Sequence, residues 1–140
     1  MKKYKIGYTT GTFDMFHIGH LNTLKKSKEL CDYLIVGVST DELVKQYKNK
    51  LPIIPLKDRM AIVEAIKYVD KVVIQDNLDK YGAYLKYHYD VLFHGDDWKD
   101  SDLYKGIENK LREVGVDVIY FPCIPLVSTS YILNKIRQEK

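Results

Sequence analysis

Cysteine is scarce in this chain, and long apolar runs are missing. The two cysteines, Cys31 and Cys123, are too few for a disulfide framework and read as reduced thiols of a cytoplasmic protein. No apolar stretch approaches the roughly 20 residues that a membrane span needs. The basic start Met1-Lys2-Lys3-Tyr4-Lys5 is not followed by the apolar stretch of a secretory signal, so export is not expected. Neither sign of charge dominates: 22 basic against 19 acidic residues leave a net charge of +3. That balance excludes a general nucleic-acid surface but permits a local basic pocket for phosphates. No linker, internal repeat or low-complexity tract interrupts the sequence. What is present is ordinary globular composition, 46% hydrophobic and 29% charged, at a length that suits a single domain over residues 1–140.

Apolar runs alternate with helical patterns. Residues 5–10, with Ile6 and Tyr8, read as a strand that ends at the Gly11 turn. Leu21, Leu24 and Cys31 have helix-compatible spacing, with Lys25, Lys26, Lys28 and Glu29 on the other face. Residues 33–38 form a continuous apolar run, as a strand covered on both sides does. Residues 45–56 are basic and then carry Pro52 and Pro55, which predicts a loop. A helix is expected over 58–69, on the stripe Ile62, Ile66 and Val69, and a short strand over 71–74. Leu78, Tyr81, Leu85 and His88 are helix-spaced, residues 90–94 read as a strand, and Leu103, Ile107 and Leu111 mark a helix stopped at Gly115. A last strand covers 116–121. Ser128 and Thr129 then offer N-caps for a final helix. Five strands alternating with five helices predict an α/β fold: one Rossmann-like domain with a mostly parallel five-stranded sheet and helices on both faces. Ligands then bind beyond the carboxyl ends of the strands, where the strand order switches.

The strongest chemical signal is Gly11-Thr12-Phe13-Asp14-Met15-Phe16-His17-Ile18-Gly19-His20, between the first strand and the first helix. A helix start presents unpaired N–H groups and a positive dipole end to anions. His17 and His20 are three residues apart, so one helical turn aims both at one spot. There they can donate hydrogen bonds to phosphate oxygens. The plain alternative is that each histidine packs or caps; the pair, with Gly19 between and a glycine turn before, favours function. A zinc site needs a third ligand, and neither cysteine is obviously placed to supply one. Asp14 suits either magnesium or a capping role. Arg59 opposes its helix dipole or pairs with Asp58. Lys48 and Lys50, by themselves, read with Lys45 as a solvated charge run. The tyrosines from 81 to 89 suit a dimer interface, an acceptor pocket or a plain cover over the core.

The run from Gly11 to His20 resembles the nucleotidyltransferase signature, whose core is His-x-Gly-His. Nearly end to end, the chain is similar to bacterial glycerol-3-phosphate cytidylyltransferases. Ser39-Thr40-Asp41-Glu42, Arg59, Tyr68-Val69-Asp70 and Gly95-Asp96-Asp97-Trp98 resemble family landmarks. The resemblance implies attack of an acceptor phosphate oxygen on the α-phosphorus of CTP, with loss of pyrophosphate and no covalent enzyme intermediate. It makes His17, His20, Lys48 and Lys50 the catalytic set. Thr10, Gly11, Thr12, Phe13, Gly19, Arg59, Gly95, Asp97, Ser128 and Thr129 are the implied nucleotide contacts. Asp14, Asp41, Lys67 and Asp70 are the implied substrate contacts, with Lys67 standing where the family usually has arginine. Asp70 either holds a basic side chain or ends a helix; Trp98 either packs over the nucleotide or fills a structural gap. The implied partners are CTP with Mg2+, a small phosphorylated alcohol (glycerol 3-phosphate by default) and a second copy of the chain in a homodimer. Cytidylyl transfer to another phosphorylated acceptor, an adenylyl transfer of the flavin-synthetase type and a catalytically silent nucleotide-binding module are the alternatives. The chain departs from the family at Cys123-Ile124-Pro125-Leu126-Val127-Ser128-Thr129, where the family carries Arg-Thr-x-Gly-Ile-Ser-Thr. Serine and threonine survive and the arginine is gone.

Overall fold

The computed structural model describes residues 3–95, 101–122 and 129–138, with only the backbone of 129–131. The chain runs β1 (Tyr4–Gly11), α1 (Ile18–Leu30), β2 (Cys31–Ser39), α2 (Asp41–Lys48), α3 (Leu56–Glu64), β3 (Lys71–Gln75), α4 (Lys80–Tyr87), β4 (Val91–Gly95), α5 (Asp102–Glu113), β5 (Asp117–Phe121) and α6 (Thr129–Gln138). The five strands form one sheet in the order β3-β2-β1-β4-β5, and every pairing is parallel. The chain builds outward from β1 through β2 to β3, then crosses to the other side of β1. The switch in strand order therefore lies between β1 and β4, where a crevice opens in such sheets.

The strands are apolar because both faces are covered. Leu34, Val36, Val38, Val91 and Phe93 face Leu24 of α1 and Val63 of α3. Tyr8, Ile35, Leu92 and Tyr89 face Leu111 of α5, with Ala83 and Tyr84 of α4 packed against them. Tyr84 and Tyr87 of α4 thus serve as core cover. Gly7 lets Phe93 and Cys31 close over β1, since a Cβ there would stand 2.6 Å from the Phe93 ring.

Three local expectations change. Cys31 opens β2 as a buried thiol that donates to the Ser27 carbonyl (3.3 Å). Residues 45–48, expected as loop, complete α2. Thr40 caps that helix by accepting from Leu43 N–H (3.1 Å), Asp41 and Glu42 fill the first turn, and Asn49 ends it in the left-handed region at φ 57°. There are six helices among the described residues, because α2 and α3 both lie between β2 and β3. The helix expected to reach residue 69 ends at Glu64. Tight turns replace it, with Ile66 N–H on Val63 O (3.1 Å) and Val69 N–H on Ile66 O (3.0 Å). Val63 is buried and Met60 packs on the core partly buried, while Ile62 is exposed and Ile66 and Val69 pack on the core from the turns. The stop after α5 is as expected: Gly115 takes φ 83°.

Candidate active site

At the switch point a cavity of about 510 Å³ opens beyond the carboxyl ends of β1 and β4. From β1 and its loop it takes Thr10, Gly11, Thr12, Phe13 and Asp14, and from α1 it takes His20. Lys48 and Lys50 close one side, followed by Leu51, Pro52 and Ile53, and His94 with Gly95 supplies the β4 wall. Residues 40 or more positions apart thus meet at one edge of the sheet because parallel strands deliver their carboxyl ends together.

The β1–α1 loop is tightly built. Gly11 remains in β1 and makes no turn; its missing side chain admits the Phe13 ring, which would stand 3.0 Å from a Cβ. Phe13 and Met15 hold φ of 55° and 51°, a left-handed conformation that costs on the order of 1–3 kcal/mol each for non-glycine residues. Asp14 is 8% exposed, and its carboxylate accepts from the N–H groups of Ile53 (2.8 Å) and Ile54 (2.9 Å). It therefore ties the β1 loop to the segment after Lys50 and does not cap α1.

The two histidines are both caps and donors. Gly19 N–H donates to His17 Nδ1 (3.0 Å), and His17 N–H donates to His20 Nδ1 (3.2 Å). The reciprocal pair closes the start of α1 as a capping box. An imidazole nitrogen that accepts carries no proton, so each neutral ring keeps its proton on Nε2. The rings stack with centroids 3.9 Å apart. Burial lowers the pKa of His17, and that of His20 falls to about 4, from burial first and then from His17 and Lys48, against an opposing pull from Asp14. At neutral pH the pair is uncharged, with two Nε2–H donors beside a helix N-terminus. His20 lines the cavity directly, and His17 stacks on it.

Arg59 is 0% exposed and does not line the cavity. Its Nε donates to Ile54 O (2.8 Å), Nη1 to Thr12 O (2.7 Å) and Ser39 O (2.8 Å), and Nη2 pairs with Asp41. The planar fork spans three chain segments that meet below the cavity floor. Its ion partner is Asp41 and not Asp58. Lys67 lies over the Tyr68 ring (5.2 Å). Asp70 pairs with Lys28 and accepts from Leu34 N–H (2.8 Å). Leu34 is level with Gly7, four residues short of Gly11, so Lys67 and Asp70 stand toward the amino ends of the strands, away from the cavity. Gly19 contributes a cap N–H, and Thr129 opens α6. Asp96, Asp97, Trp98, Cys123 and Ser128 lie outside the described residues.

The sequence reading did not single out Thr23, Val44, His94 or Leu133, all of which line the cavity. Thr23 sits one turn beyond His20 on α1, and His94 directly precedes Gly95. Those two positions were recoverable from helical and strand geometry; Val44 and Leu133 carried no such sign.

Comparison with known proteins gives the family. The profile of the cytidylyltransferase-like family matches residues 8–138. A glycerol-3-phosphate cytidylyltransferase of Bacillus subtilis is 36% identical over 129 residues, covering 91% of this chain and 94% of that one. An FAD synthase of Pyrococcus abyssi is 40% identical over 134 residues, covering 91% and 89%. A probable ethanolamine-phosphate cytidylyltransferase of Encephalitozoon cuniculi is 35% identical over 108 residues, and the alignment spans 34% of its length. Among solved structures, a lipopolysaccharide core biosynthesis protein of Thermoplasma volcanium superposes with a TM-score of 0.70 at 28% identity, covering 85% of this chain and 95% of that one. The chain belongs to the cytidylyltransferase-like family.

Proposed function

We propose that this member of the cytidylyltransferase-like family transfers CMP from CTP to a small phosphorylated alcohol, with glycerol 3-phosphate as the first acceptor to test. The observation that carries the reading is the His17–His20 pair, whose Nδ1 atoms are occupied by backbone N–H groups and whose Nε2–H donors stand at the α1 N-terminus. In the proposed step an acceptor phosphate oxygen attacks the α-phosphorus, the bond to the bridging oxygen breaks, and pyrophosphate leaves. An acceptor phosphate dianion needs no base, so the histidines stabilise charge and move no proton. Preorganised donors aimed at developing charge supply the main electrostatic term. Lys48 and Lys50 add compact cations from a segment able to close over phosphates.

Mg2+ is proposed as the counterion of the triphosphate. Among the described residues no three His, Cys, Asp or Glu side chains gather into a metal site, and both Asp14 oxygens accept backbone N–H groups. These residues do not form a metal cage. No helix among the described residues is long and apolar enough to cross a membrane. A homodimer is proposed from the family resemblance.

A second reading is adenylyl transfer to a flavin-type acceptor. It is favoured by the apolar wall Leu51-Pro52-Ile53, which suits a flat ring, and by the FAD synthase relatives. Pyrophosphate release with CTP and with ATP, against glycerol 3-phosphate, phosphoethanolamine and FMN, separates the readings. Turnover with CTP and a phosphorylated alcohol supports the first; turnover with ATP and FMN alone replaces it with the second. No turnover with any pair returns the chain to a silent nucleotide-binding module.

A further inference from the structure

A second cavity, of about 240 Å³, opens between the carboxyl end of β3 and the first turns of α4. It shares no lining residue with the nucleotide cavity. Tyr8 lines it from the sheet, and Gln75, Asp76, Asn77, Asp79 and Tyr87 are among its walls. Gly37 opens the lane by which Tyr8 gets there: a Cβ on Gly37 would stand 2.7 Å from the Tyr8 hydroxyl. Tyr8 is 2% exposed, with its ring stacked on Tyr89 (4.9 Å) and tilted against Tyr87 (5.7 Å). Its hydroxyl opens on the cavity and is not a sealed, unsatisfied group of the core. A phenol that reaches a cavity offers one donor and one acceptor to whatever enters it.

The surrounding charges define that ligand. Asp76 and Asp79 are braced by Asn77, which donates to Asp76 Oδ1 (2.9 Å) and accepts from Asp79 N–H (2.8 Å). Two carboxylates disfavour a phosphate. Lys86 lines the same cavity, 5.6 Å above the Tyr87 ring, and disfavours a bare cation. Hydroxyl groups donate to carboxylates and accept from an ammonium, and both modes suit a phenol. Burial pushes the ionisation of Tyr8 far above its ordinary value, so the phenol stays neutral and keeps both modes. We propose that this cavity is a second binding site, for a small neutral polyol, with the Tyr8 hydroxyl as its central contact. The site is independent of the reaction assigned to the nucleotide cavity.

The test is amide mapping by NMR on the isotope-labelled full chain, titrated with xylitol as the neutral probe and inorganic phosphate as the anionic one. Xylitol is expected to shift the amides of Gln75, Asn77, Gly82 and Ala83 saturably, and phosphate to leave them in place. Tyr8→Phe keeps the packed ring and removes the hydroxyl. It should raise the xylitol dissociation constant about fivefold, the size expected for one neutral hydrogen bond. The proposal is overturned if xylitol shifts none of these amides, or only those of Gly11, His20 and Lys48. It is equally overturned if phosphate saturates the second cavity, or if Tyr8→Phe binds xylitol as the wild type does.

Discussion

The His17 and His20 rings stack at 3.9 Å while each Nδ1 accepts a backbone N–H at the start of α1. Capping therefore uses one nitrogen of each ring and leaves the other for the proposed role in catalysis. Replacing either residue by alanine should remove one Nε2–H donor and lower the single-turnover rate by about 10²–10³, or roughly 3–4 kcal/mol. CTP affinity, from equilibrium titration, should fall less, because Lys48 and Lys50 remain. Wild-type turnover in both variants, with folding confirmed by circular dichroism, makes the motif architecture only.

The same burial has a consequence for acid stability. His20 has a folded-state pKa of about 4, below the ordinary value near 6.5, so the unfolded chain binds its proton first as pH falls. The contribution of His20 is complete above about pH 6.5 and is lost progressively down to about pH 4. Melting temperatures of wild type and His20→Gln, compared from pH 7 to pH 4.5, should converge in acid. Parallel curves would show that His20 titrates normally in the folded protein.

Arg59 was expected as a nucleotide contact; its guanidinium is the hub of the segments beneath the cavity. Without Arg59 the Thr12, Ser39 and Ile54 carbonyls lose their donor, at about 1–3 kcal/mol for each one left buried and unsatisfied, while Asp41 is 33% exposed and can be solvated. Arg59→Ala should therefore lose stability on that scale in urea unfolding, and Arg59→Lys should lose part of it, since the ammonium cannot span Thr12 O, Ser39 O, Ile54 O and Asp41 together. Unchanged stability with a raised KM for CTP would restore the nucleotide contact.

Asp14 pins the far end of the segment that carries Lys50. Asp14→Asn should speed amide hydrogen exchange at Ile53 and Ile54, by about tenfold if one charge-assisted bond is lost. In the wild type, CTP should slow exchange between Asn49 and Ile54. Equal exchange with and without saturating nucleotide would mean that this segment does not close.

Asp97 lies outside the described residues, and its ribose contact is proposed from Gly95-Asp96-Asp97-Trp98. Such a contact is kept from ground state to transition state, so Asp97→Ala should raise the KM for CTP and leave kcat nearly intact. A fall in kcat alone would assign the carboxylate to chemistry.

Local pattern was enough to read the five strands, the start of α1 inside His17–His20 and the sheet edge at which Gly95 arrives. Alternating apolar runs and the Gly11–His20 spacing are local properties, and local periodicity reports them. It also held the signs of α2, in Thr40-Asp41-Glu42, although the lysines and prolines that follow pointed to a loop. What each polar side chain faces followed from long-range packing. Arg59 and Asp14 carry charges that suit a phosphate or a metal, yet backbone carbonyls and N–H groups from distant segments occupy them. Tyr8 reads as one apolar position in a strand, but Gly37 on the neighbouring strand opens a lane to a second cavity. A side chain's partner depends on which strands lie side by side, and that order is fixed by packing across the whole sheet.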